Sequence, residues 1–269
     1  MTTQKEKAER FVALHARPGA FLIPNPWDAG SAKLLEGLGF EALATTSAGF
    51  ANAIGKLDGQ VTLEEKIEHC RTLAAATDIP VSADLENGFA DDPRTAAENI
   101  RRVALAGIVG GSIEDYSGKA IYDFGLAVER VQAAVEMKRK LDFPFTLTAR
   151  AEGVLRRAHG LDEAIKRLQA YEAAGADVLY APGLTDLADV RRVASAVKKP
   201  INVLMMMRGV TLAQLADAGA KRVSLGGSLA RAAVTALIRA SREMLAHGSF
   251  GWTADLASGG EVTKLLTRS

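Results

Sequence analysis

Cysteine is almost missing from this chain. Cys70 is the only one in 269 residues, which rules out an intramolecular disulfide and a thiolate zinc cluster and suits a reducing compartment. Long apolar runs are missing too: no stretch offers the roughly 20 uninterrupted apolar residues that span a bilayer, and the charged opening MTTQKEKAERF lacks the apolar core of a secretory signal. Charge of one sign is scarce. A formal net charge of +1, with 24% charged residues, excludes a polybasic nucleic-acid surface and an acidic tail. These absences predict a cytoplasmic protein whose partner is a small molecule, with no nucleic acid and no membrane involved.

What is present is an alternation. Short apolar runs at 20–24, 41–46, 80–84, 109–115, 145–150, 177–181, 201–205 and 222–226 are each followed by a longer amphipathic segment, the pattern of parallel strands joined by helical crossovers. Eight such units predict a closed (β/α)8 barrel, a TIM barrel, with an open doubly wound sheet as the competing solution. With 48% hydrophobic residues and no linker or low-complexity tract, a single domain over 1–269 is expected, in which 249–269 form a C-terminal helical extension. Helix boundaries are written locally. Thr62 and Glu65 have the spacing of a capping box, Asp92 precedes Pro93 at a helix start, and Ala-Gly pairs at 106–107, 174–175 and 218–219 mark helix ends. Leu63, Ile67, Cys70 and Leu73 line one helix face, so the lone cysteine reads as core packing.

A barrel gathers its chemistry at the carboxyl ends of its strands. Strand two ends in Thr45, Thr46 and Ser47, strand three in Asp84 followed by Glu86, strand four in Glu114 and Asp115, and strand five in Arg150 followed by Glu152. Carboxylates without histidine or cysteine suit a hard divalent ion, Mg²⁺ with Mn²⁺ as the alternative. Asp84 is the expected direct ligand, with Glu86 and Glu114 holding the ion through water. The Ser47-Ala48-Gly49 turn offers a hydroxyl and amides to a carboxylate, and Arg150 offers a charge-assisted contact to the same substrate or to a developing enolate oxygen. The alternative reading of the acids is a set of caps for the following helices. SLGGS at 224–228 reads equally as a phosphate cradle or as close packing. Among the four histidines only His159 lies near a strand end, and surface exposure is the simpler reading for it; Met205–Met207 read as strand-end packing. No lysine closes a predicted strand, which argues against Schiff-base chemistry, and PNPWDAGSA after strand one carries no dinucleotide fingerprint.

PNPWDAGSAKLLEGLGFEALATTSAGFANAIGKLDG, SADLENGF, SIED, TARAE, PINVLM and RVSLGGSLARA occur in the order and at the intervals of one family. By these stretches the chain resembles the isocitrate lyase and phosphoenolpyruvate mutase superfamily. The resemblance implies a Mg²⁺-dependent barrel acting on 2-oxo acids, pyruvate-like enolates or related dicarboxylates. It also implies a homo-oligomer, a dimer of helix-swapped dimers. It makes Ser47, Ala48 and Gly49 the carboxylate-binding turn, Asp58 an acid near the site, Asp84, Glu86 and Glu114 the metal cluster, Arg150 the arginine beside the reacting centre and Asn202 a substrate-binding polar group. The isocitrate and methylisocitrate lyases carry a Lys-Lys-Cys-Gly-His motif, whereas this chain has no cysteine after position 70. The loop EDYSGKAIYDFG also lacks the Lys and Asn of the mutases, leaving Lys119 and Tyr116 to stand in part for them. The expected activity is cleavage of a C–C bond next to a 2-oxo or 2-hydroxy acid through an enolate, with Arg150, Asp58 and Glu114 as catalytic groups. C–P chemistry on phosphonopyruvate and metabolite binding without turnover are the alternatives.

Overall fold

The structure is a computed structural model and describes residues 2–267. Its eight strands are all parallel: β1 (Phe21–Ile23), β2 (Leu43–Ala44), β3 (Val81–Asp84), β4 (Gly110–Glu114), β5 (Thr146–Arg150), β6 (Val178–Tyr180), β7 (Ile201–Leu204) and β8 (Arg222–Ser224). They pair in the order β1-β8-β7-β6-β5-β4-β3-β2, the near-closed ring of a (β/α)8 barrel. The remaining seam between β1 and β2 is narrow. The Ala44 amide donates to the Pro24 carbonyl at 3.0 Å, and the buried Asn25 side chain bridges the gap, donating to Thr45 O at 3.0 Å and accepting from the Leu225 amide at 2.9 Å.

The helices are α1 (Gln4–Ala16), α2 (Ala29–Gly37), α3 (Ser47–Ala53), α4 (Leu63–Ala76), α5 (Pro93–Ala104), α6 (Phe124–Lys138), α7 (Leu161–Ala174), α8 (Leu187–Ala196), α9 (Leu212–Asp217), α10 (Ser228–His247) and α11 (Gly259–Thr267). The capping reading holds: Thr62 and Glu65 make a reciprocal box at α4, and Asp92 caps α5 with proline in the first turn. Gly107, Gly175 and Gly219 all take positive φ. Cys70 is fully buried, in contact with the main apolar cluster.

Helix α1 precedes the first strand and was not legible as part of the barrel. It closes the amino-terminal end, where Phe11 lies so close to Gly110 that a methyl group at that glycine would meet its ring. Its Gln4 side chain donates to Ala104 O and Ile108 O at 2.7 and 3.0 Å, tying it to the β4 approach.

The carboxyl-terminal helices behave differently. Only Ala230 and Ala240 of α10 are buried, while Leu237 and Leu245 are 67% and 89% exposed in a stripe with Val234, Ile238 and Met244. After a 3-10 turn at Gly251–Asp255, α11 comes back onto α2 of the same chain, where a methyl at Gly37 would strike the Leu265 backbone. Among the described residues no helix is long and apolar enough to cross a membrane.

Candidate active site

A cavity of about 910 Å³ opens at the carboxyl ends of the strands. Asp58, Asp84, Glu86, Glu114, Arg150, Asn202, Ser47 and Ala48 all line it, so the topology brings together groups spread over more than 150 positions of sequence. Gly49 does not. The expected turn is the start of α3, where Thr46 is the N-cap and its hydroxyl already takes the Gly49 amide at 3.2 Å. Gly49 is there for space, because a side chain would press on Thr46 and Ala230. Gly226 and Gly227, from SLGGS, border the cavity at the start of α10. His159 packs against Gly153 outside it, and Lys119 is exposed, whereas Tyr116, Ser117 and Gly118 of the same loop are on the wall.

Arg150 is the hub. Its Nη1 donates to Asp84 Oδ1 at 2.8 Å, its Nη2 lies 3.2 Å from Glu114 Oε2, and its Nε and Nη2 donate to Glu152 Oε1 at 3.0 and 2.7 Å. The guanidinium also lies 5.0 Å above the Tyr180 ring. Burial opposes its charge, but Glu152, Glu114 and Asp84 hold its pKa well above the usual value. The cation that relieves the crowding of acids in this structure is therefore a residue of β5. Glu152 is fully buried, and its amide donates to Asp115 Oδ1 at 2.8 Å. Asp115 turns away from the cavity and accepts from Tyr171 at 2.7 Å and Arg167 at 3.0 Å, which anchors the β5 end from behind.

Asp84 accepts from Ser112 at 3.3 Å in addition to Arg150. Burial works against its charge, yet Arg150, Lys66 and the amides of Glu86 and Ser47 outweigh it and keep its pKa below the ordinary carboxylate value. Lys66 is a residue that sequence reasoning missed. It rises from α4 and is buried, with its ammonium donating to Thr45 Oγ1 at 3.1 Å; the same oxygen accepts the Asp84 amide at 2.9 Å. Its position between Leu63 and Cys70 on the buried helix face was the available signal.

Glu86 has left-handed backbone, φ 49°, a sparsely populated region for a residue with a Cβ. The loop is held in that shape from outside: buried Arg130 of α6 donates to the carbonyls of Asn87, Ala90 (2.7 Å) and Asp91. Burial, then repulsion from Asp84, raises the Glu86 pKa to about 7. Burial likewise raises Glu114, against the pull of Arg150 and with Glu152 and Asp84 adding repulsion. A carboxyl group with a raised folded-state pKa binds more protons folded than unfolded, so its contribution to stability is present below the unfolded value and is lost as pH rises through the folded one. The metal-free protein should thus lose stability between the ordinary glutamate value of 4.5 and about 7, by about 1 kcal/mol per pH unit. Denaturant titrations at several pH values test this, and a flat or rising profile would contradict the assigned environment.

Among the described residues, no three of His, Cys, Asp and Glu converge closely enough to hold a metal ion by themselves. Glu114 is turned towards Arg150. Asp84 and Glu86 remain as two hard oxygen donors on the cavity wall, one repelling the other. That donor pair fits a Mg²⁺ ion whose other positions are filled by water and substrate oxygens.

A parallel barrel with this acid–arginine hub at its strand ends defines a class of enzyme, and the comparisons with known proteins agree. The phosphoenolpyruvate phosphomutase family profile matches residues 11–245, and the chain belongs to that family, within the isocitrate lyase and phosphoenolpyruvate mutase superfamily of lyases and mutases. A structure of a putative lyase/mutase from Burkholderia cenocepacia J2315 superposes with a TM-score of 0.95 at 52% identity, covering 98% of this chain and 97% of that one. The probable 2-methylisocitrate lyase 2 of Corynebacterium glutamicum is 31% identical over 78% of this chain and 69% of its own. The phosphoenolpyruvate phosphomutase of Streptomyces platensis subsp. rosaceus superposes with a TM-score of 0.83 at 26% identity, covering 96% of this chain and 94% of that one.

Proposed function

We propose that this enzyme is a Mg²⁺-dependent lyase that breaks a C–C bond next to a 2-oxo or 2-hydroxy acid by way of an enolate. The observation that carries the reading is the arrangement of Asp84 and Glu86 beside Arg150 on one cavity wall, with no thiol in reach, since Cys70 is sealed in the core. Asp84 and Glu86 would hold the ion, which would supply Lewis acidity to a substrate carboxylate and the neighbouring oxygen. Ser47 and Ala48, at the first turn of α3, border the place where that carboxylate sits. Arg150 fixes the Asp84 carboxylate and adds positive charge where an enolate oxygen develops. Glu114, whose pKa burial raises while Arg150 pulls it down, is the acid on this wall suited to return a proton to carbon at the end of the reaction. Decarboxylation of an oxaloacetate-like acid needs little more than this electron sink.

Pyruvate release from oxaloacetate, above the rate Mg²⁺ alone gives, is the decisive assay when run beside phosphate release from phosphonopyruvate. Mg²⁺-dependent pyruvate without phosphate is expected. Phosphate release would move the enzyme to C–P chemistry, and tight oxalate binding with no turnover of any 2-oxo or 2-hydroxy acid would make it a binding protein. The exposed stripe on α10 fits a second copy of this chain, each copy covering the helix of the other, and a solution mass above 28.4 kDa is its check.

A further inference from the structure

Arg222 is a buried cation without an anion. It opens β8, and its side chain crosses the barrel interior: Nε donates to Asn202 Oδ1 of β7 at 2.8 Å, and Nη2 donates to Thr148 Oγ1 of β5 at 3.1 Å, a strand that is not its neighbour. Asn202 is itself fixed by donating to Ser224 Oγ at 3.0 Å. Among the described residues the third nitrogen, Nη1, is buried with no hydrogen-bond partner, and no carboxylate there forms an ion pair with this arginine. The ionisable groups that act on it are Tyr180 and the like charge of Arg150. Burial lowers its pKa to about 10, which leaves it charged at neutral pH. Burial, then the Arg222 charge itself, holds His15 of α1 down to about 3, so α1 adds no second positive charge there.

An isolated charge in a protein interior is expensive, and its usual remedies are a counter-ion or neutralisation. Arg222 has neither. It is 5% exposed, and it lines the same cavity as Asp84 and Arg150. Arg150 is already shared by three carboxylates, which makes Arg222 the cavity cation with unspent charge deep in the barrel.

We propose that Arg222, oriented by Asn202 and Thr148, binds a second carboxylate of the substrate on the cavity floor and so selects dicarboxylic acids over monocarboxylic ones. The inference rests on the enolate reading only for which end of the substrate reacts. A single guanidinium with neutral hydroxyl and amide neighbours matches the single charge of a carboxylate.

The test measures Mg²⁺-dependent binding of oxalate, which is too short to reach beyond the metal end, and of malonate, succinate and glutarate, to wild type and to Arg222→Gln. Losing a hydrogen bond to a charged group should weaken the best-bound of the longer dicarboxylates by about 30-fold, while oxalate stays within about twofold. Arg222→Lys, which keeps the charge in the interior, serves as the second variant and should lose about tenfold for that same ligand alone. Equal losses for oxalate and the longer acid would assign Arg222 a structural role and overturn the proposal, as would unchanged affinity for every ligand. If wild type binds oxalate but none of the longer acids, this inference fails while the enolate reading stands. If it binds a longer acid through Arg222 but not oxalate, the enolate reading fails and this one survives.

Discussion

Replacing Asp84 by alanine should abolish turnover, by about a thousandfold or more, without unfolding the protein. Asp84 is partly exposed to the cavity and is the one acid whose charge is stabilised there, by Arg150, Lys66 and two amides. Its removal deletes the anionic group through which Mg²⁺ would enter and frees the Arg150 Nη1 that now points at Oδ1. The remaining cluster keeps Arg150 for Glu114 and Glu152, and buried Lys66 keeps the Thr45 hydroxyl and the charge of Glu86, so the fold survives the loss. Mg²⁺ titration of oxalate binding is the direct measurement. Asp84→Asn, nearly isosteric, should fail in the same way, whereas a normal Mg²⁺ response in either variant would remove Asp84 from the metal site.

Arg150→Ala should be the most disruptive single change at the site, for two reasons that can be measured apart. Its loss leaves Asp84, Glu114 and Glu152 facing one another with no shared cation, and breaking a buried ion pair from one side costs about 3–5 kcal/mol. The variant should therefore melt far below wild type. Turnover in the fraction that remains folded should fall by about 10² to 10³, the effect of losing a group that stabilises developing oxyanion charge. Arg150→Lys separates the two effects. An ammonium restores positive charge to the cluster but cannot contact three acids with a planar fork, so stability should recover more than turnover. Wild-type turnover in Arg150→Lys would reduce this arginine to scaffolding.

The residues that made the site legible are those whose meaning is local. A polar residue closing an apolar run marks a strand end, so Asp84, Glu114 and Arg150 could be placed on one rim, and the Thr62 and Asp92 caps fixed the helices between them. Contacts across the barrel carry no such mark. Arg150 as the partner of Asp84, Lys66 beneath Thr45 and Arg222 against Thr148 depend on which elements face one another, and spacing along the chain is silent on that. The chemistry of position still left a trace. Barrel strands are buried on both faces, so the arginine that starts RVSLG was already anomalous, and so was a lysine on the face shared by Leu63, Ile67 and Cys70. The Ser47-Ala48-Gly49 segment misled for the opposite reason. Small residues suit a turn and a tightly packed helix equally, and the Thr46 hydroxyl decides for the helix.

Arg130 bears on any attempt to move this chemistry elsewhere. The unusual backbone at Glu86 takes its shape from a guanidinium on α6, two crossovers downstream, which gathers the carbonyls of Asn87, Ala90 and Asp91. Transplanting SADLENGF alone onto another scaffold would carry the acids but leave behind the clasp that aims them. The smallest portable unit of this centre is the whole arc from β3 through β5, which carries both the Arg130 clasp and Arg150.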